Sequence, residues 1–182
     1  IFTIRSQRCC TCAPCLRRRR TPMPSLSKHL LTPGAWIGRG SYLDKGQSLG
    51  TTIECSFDVT SEQVGTHIKG ELTLRDGAGR HAFAVWITPN DTGTYDVAAQ
   101  FAGANLEGTA KVGSYPNLAM LWGARGDLQV SCAMFDLRNG RGFRGFSRTG
   151  KSQLTWEMVL REERVTTTAT NVVALGTGKK RK

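Results

Sequence analysis

The chain reads as an all-β protein, an antiparallel up-and-down barrel of about eight to ten strands, and three observations carry that expectation. Extended runs with apolar residues at every second position recur along the body of the chain, the period of a half-buried strand. Turn chemistry separates them at spacings of roughly 8 to 12 residues, as in sandwiches and barrels. Of the 21 glycines, all but Gly176 and Gly178 fall between positions 34 and 150, some in turns and some inside strands, where they mark bends of a curling sheet.

The runs can be taken in order. Residues 35–44, AWIGRGSYLD, are followed by the polar KGQSLG. TTIECSFDV places Ile53, Cys55, Phe57 and Val59 on one face and Thr52, Glu54, Ser56 and Asp58 on the other. THIKGELTLR sets Ile68, Leu72 and Leu74 inward before DGAG, a hairpin signal. RHAFAVWITP is apolar on both faces, so parity does not choose its inner side. After NDTG, TYDVAAQFA aligns Tyr95, Val97, Ala99 and Phe101. LEGTAKVG, LAMLWGA, DLQVSCAMFDL, FRGFSR and QLTWEMVLREE follow, the last aligning Leu154, Trp156, Met158 and Leu160. No stretch between 35 and 165 shows a capped 3.6-residue period. Ten strands linked in sequence favour an up-and-down barrel, whose closure removes exposed sheet edges.

The domain expectation is an N-terminal extension over 1–30, a barrel over 31–165 and a flexible basic tail over 166–182. Residues 1–22 mix Cys, Arg and Pro without period, and Met23 reads as an ordinary cytosolic start, so residues 1–22 are expected to lie outside the functional fold. A transit peptide, also Arg-rich and poor in acids, is the rival reading. The net charge of +11 is concentrated at the ends. Six arginines lie in residues 1–22 and four basic residues in KKRK at 179–182, leaving 15 basic against all 14 acidic residues elsewhere. A nucleic-acid role therefore ranks last: tails of this kind bind phosphate without specificity, and the strands carry no basic–aromatic stripe. No apolar run approaches the length of a membrane-spanning helix, so no membrane partner is expected.

Catalytic and cofactor signatures are sparse. Cys9, Cys10, Cys12 and Cys15 crowd into CCTCAPC without the second ligand pair of a tetrahedral zinc site. No metal or cofactor is therefore expected, and Cys55 and Cys132 read as buried thiols. Gly145 to Ser152 matches the spacing of a phosphate-binding loop, but a strand-like run follows it where that loop needs a helix.

The triplet Gly34-Ala35-Trp36, just ahead of the first strand, resembles the Gly-x-Trp signature of the calycin superfamily, the lipocalins and fatty-acid-binding-protein-like barrels. The resemblance extends over residues 34 to about 165 and is nearer to small intracellular bacterial calycins than to secreted lipocalins, which implies a cytoplasmic protein. It implies that Trp36 closes one end of the barrel and that a basic residue from the last strand, Arg161 or Arg164, packs on it. Related haem-binding barrels use a late histidine, and this chain has none after His81.

The function expected is the binding of a small hydrophobic or amphipathic molecule inside the barrel. The candidate lining residues are Phe57, Phe83, Trp86 and Tyr95, together with Phe101, Trp122 and Trp156. Arg144, if it faced inward, would need an anionic partner such as a ligand carboxylate. The alternative is an enzyme of the same architecture, of isomerase or cyclase type, using an interior acid, Tyr or Arg. Its strand-borne acid candidates are Glu54, Glu71, Glu107 and Glu157, of which Glu54, Glu107 and Glu157 alternate away from the apolar face.

Overall fold

A computed structural model describes residues 30–163 apart from 63, 76–78, 114 and 125. The N-terminal stretch with its Cys-rich run, Arg164 and the C-terminal basic tail lie outside the described residues.

Ten strands follow one another: β1 (Gly34–Asp44), β2 (Thr51–Glu62), β3 (Gly65–Leu74), β4 (Gly79–Pro89) and β5 (Tyr95–Phe101), then β6 (Ala104–Lys111), β7 (Asn117–Gly123), β8 (Leu128–Leu137), β9 (Gly140–Thr149) and β10 (Ser152–Glu162). Each pairs antiparallel with its sequence neighbours, and β1 pairs with β10, so the sheet closes into a ten-stranded up-and-down barrel. Among the described residues there is no helix.

The turns follow from local chemistry. Between β4 and β5 the Asn90 side chain accepts the backbone N–H groups of Thr92 and Thr94, each at 3.1 Å, an Asx-type turn that replaces ladder hydrogen bonds. Between β9 and β10 the pair Thr149–Ser152 leaves only Gly150 and Lys151 in the loop. The run that matches a phosphate-loop spacing is thus a β-hairpin.

Register fixes which residues face inward. Trp36, Gly38, Gly40 and Tyr42 of β1 share a face with Phe57, Cys55 and Ile53 of β2, and with Leu160, Met158 and Trp156 of β10. Two positions without a side chain let the sheet coil here. A Cβ on Gly40 would lie 1.9 Å from the Glu157 carbonyl oxygen, and one on Gly38 would meet the Cys55 sulfur at 2.5 Å and a Leu160 methyl at 2.7 Å.

Burial is unequal along the barrel axis. At the end bearing Trp36, the inward side chains Val59, Ile68, Ile87, Tyr95, Ala110 and Leu160 are all buried. The chain just ahead of β1 caps this end with Leu30 and Leu31, the latter 1% exposed. Toward the opposite end the inward side chains Tyr42, Leu72, Leu74, Leu128, Val130 and Trp156 are only half-buried. Phe101, on the same face as Val97 and Ala99, reaches 38% exposure. The end bearing Trp36 is the plugged one; toward the other end Ile53, Leu106 and Leu121 remain buried among these half-buried residues.

Candidate functional site

The plug is built around Trp36. Its side chain is 5% exposed, and its indole Nε1–H donates to the Thr32 carbonyl at 2.9 Å, so the buried N–H is satisfied without a charged partner. Phe57, directly across on β2, stacks on it with centroids 6.4 Å apart and planes 7° from parallel. Phe83 tilts against Phe57 at 6.0 Å. These three rings form an aromatic floor.

Above the floor the walls are apolar. Cys55, Leu72 and Val85 face inward from β2, β3 and β4, and Val130, Cys132 and Met134 from β8. Phe143 and Trp156 meet at 6.1 Å with planes inclined by 47°. The indole of Trp156 lies flat against its own wall because the facing residue is Gly145, where a Cβ would sit 2.3 Å from the ring. Burial pushes the Cys55 thiol up to about 11, a shift partly offset by a hydrogen bond with the Gly38 backbone, and pushes the Cys132 thiol up to about 11 as well. Both are neutral thiols near neutral pH, in keeping with an apolar wall.

Phe57, Phe83, Tyr95, Phe101 and Trp156 of the expected lining set share the inner face. Tyr95 belongs to the closed end, where it is buried, and Phe101 to the open rim, where the His81 ring approaches it at 5.8 Å.

The other three lie on the outer wall. Trp86 has the opposite parity to Phe83, Val85 and Ile87, and stacks on His67 of β3 with centroids 4.8 Å apart. Trp122 is 40% exposed, opposite Glu107 and Gln129. It borders an open outer depression of about 500 Å³, also lined by Asn105, Glu107 and Ala124. Arg144 projects outward, bonds Glu157 at 2.8 Å and lies over the Phe135 ring at 5.2 Å. An outward Arg satisfied by an exposed carboxylate needs no anionic ligand.

Of the two expected partners of Trp36, Arg164 lies outside the described residues and Arg161 is placed away from the indole. Arg161 pairs with Ile37 and shares its outer face, exposed to solvent. The plug is completed by Leu30, Leu31 and the Thr32 carbonyl. These residues lie just ahead of the glycine that begins β1; the signal for them is a pair of leucines directly followed by the Thr-Pro break.

The acids are placed away from the lumen. Glu54 pairs on the outer wall with Arg75 at 2.7 Å and Arg39 at 3.6 Å. Glu71, Glu107 and Glu157 occupy outer positions of β3, β6 and β10. Among the described residues no cluster of His, Cys, Asp and Glu is arranged to hold a metal ion, and no helix is long and apolar enough to cross a membrane.

The fold and this site define a closed ten-stranded antiparallel barrel with one plugged end and a largely apolar inner face. Comparison with solved structures returns matches of low similarity. The structure of EF1p2_mFAP2b bound to DFHBI matches with a TM-score of 0.42 and 11% identity, over 72% of this chain and 93% of that one. The ywiB protein from Bacillus subtilis matches with a TM-score of 0.35 and 10% identity, over 71% and 91%. No protein-family model and no curated protein sequence matches the chain.

Proposed function

We propose that this protein is a calycin-like binding module that takes a small hydrophobic molecule into its lumen through the end opposite Trp36. The observation that carries this reading is the difference in burial between the two ends. In a closed barrel an inward side chain can meet water only from inside. Half-buried Leu72, Val130 and Trp156 support a space left inside the barrel, whereas Trp36, Val59 and Leu160 at the other end are packed. Ten strands enclose a wider interior than the eight that side chains just fill. A concave, mostly apolar space with one mouth is the usual form of a small-molecule site.

The test is titration of the purified protein with the neutral dye N-phenyl-1-naphthylamine, followed by its fluorescence. Saturable binding to one site is expected. Val130→Trp, which fills the lumen, should reduce the affinity at least tenfold. Trp122→Ala, on the outer wall, should leave it within twofold. Saturable binding that responds to Trp122→Ala and ignores Val130→Trp would place the site outside the barrel and overturn the proposal.

A further inference from the structure

We infer that the lumen selects molecules whose inserted part carries no charge, and that a carboxylate or sulfonate is rejected; this rests on the binding reading above. The register assigns the inward position of every described strand residue, and ionisable acids and bases occur on that face only near the two rims. Asp44 and His81 stand at the open mouth. Asp136, Arg141 and Glu162 stand at the plugged end. Arg141 is ion-paired with Asp136, and Glu162 accepts a hydrogen bond from Thr32 at 2.9 Å.

Between the rims the walls present rings, aliphatic chains, two Met side chains, two thiols and the neutral Ser147 hydroxyl. The arginines nearest the middle of the barrel, Arg39 and Arg144, are outside it and engaged by Glu54 and Glu157. An anion carried past the mouth would lose its hydration and find no cation among the described residues. Burial of an unpaired ion is strongly unfavourable even after relaxation. It would also pass the Asp44 carboxylate on entry. A neutral molecule with a flat ring meets none of these costs, and the Trp36–Phe57–Phe83 floor and the Phe143–Trp156 wall offer it ring faces and edges.

The experiment compares two dyes of nearly the same ring system, neutral N-phenyl-1-naphthylamine and anionic 8-anilinonaphthalene-1-sulfonate. Only the part of each signal removed by Val130→Trp is counted, with Val85→Trp as a second lumen-filling variant should the first fail to fold. The neutral dye is expected to bind at least tenfold more tightly. Equal or tighter lumen binding of the sulfonate would overturn the inference while leaving the binding reading intact. Absence of lumen binding by either dye would overturn both. A variant that places a cation inside, Leu72→Arg, should narrow the preference by improving sulfonate binding severalfold.

Discussion

Trp36 and Phe57 occupy directly paired positions of β1 and β2 and lie 7° from parallel, 6.4 Å apart between centroids. This contact joins the first two strands at the plugged end, and Phe83 of β4 extends it. The indole fills the cross-section where Leu30, Leu31, Val59 and Leu160 are also buried.

Trp36→Ala removes the largest side chain of the plug and leaves the Thr32 carbonyl without its indole donor. Such a truncation costs about 3–5 kcal/mol, and urea unfolding should show a loss in that range. Trp36→Phe keeps a ring over Phe57 but drops the N–H, so a smaller loss is expected. If Trp36→Ala unfolds at the wild-type urea midpoint, the indole is not the stopper that its burial indicates.

Gly145→Ala tests the wall. The added carbon would meet the Trp156 ring at 2.3 Å and the Ser131 carbonyl at 2.6 Å. The indole can swing away but the carbonyl cannot, so a cost of about 1–3 kcal/mol is expected. Because the displaced indole can only move inward, affinity for N-phenyl-1-naphthylamine should fall severalfold. Unchanged binding and stability would mean that the indole does not rest on the glycine.

Arg144→Ala is expected to do little. The pair with Glu157 joins side chains 58% and 61% exposed, and exposed pairs contribute about 0–1 kcal/mol. Stability should therefore change by less than about 1 kcal/mol, with the remaining contribution from the Phe135 contact screened by solvent. Binding of the neutral dye should be unaffected. A large loss of binding would mean that Arg144 acts inside the lumen, against its outward register.

The barrel was legible because most strands alternate cleanly: the inner faces of β2, β5 and β10 are the apolar sets that parity picks out. Parity failed on β4, where Ala82, Ala84 and Trp86 are as apolar as Phe83, Val85 and Ile87. There the side is chosen by cross-strand pairing, since Trp86 finds the His67 ring outside. On β8, Phe135 faces outward for a similar reason. It lies over Gly142, where a Cβ would sit 2.3 Å from the ring, so an aromatic covers the bare backbone of its neighbour. The placement of Arg161 was available from the sequence. Trp156, Met158 and Leu160 alternate inward, so the next residue must face out. The plug formed by Leu30 and Leu31 escaped a reading by periodicity, because a short non-repeating segment has none; its one mark is the leucine pair before the Thr-Pro break.

The two lumen thiols give a pH dependence whose sign is fixed by their environment. An unfolded cysteine titrates near 9.0, and burial holds both folded thiols at about 11. The folded state therefore binds protons more tightly than the unfolded state. The associated stabilisation is fully present below pH 9 and is lost as pH rises from 9 through 11. Chemical unfolding measured across that window should show falling stability. The double variant Cys55→Ala, Cys132→Ala, though less stable at pH 7, should fall less steeply over the same window. Alkylation offers an independent check. At pH 8 a thiol of pKa 11 is about one-thousandth thiolate and one of pKa 9 about one-tenth, so native Cys55 and Cys132 should react with iodoacetamide on the order of a hundredfold more slowly than in the urea-unfolded chain. Equal rates at these two sites, followed by mass spectrometry of their peptides, would show that the thiols meet water freely and that the lumen wall is not apolar at mid-height.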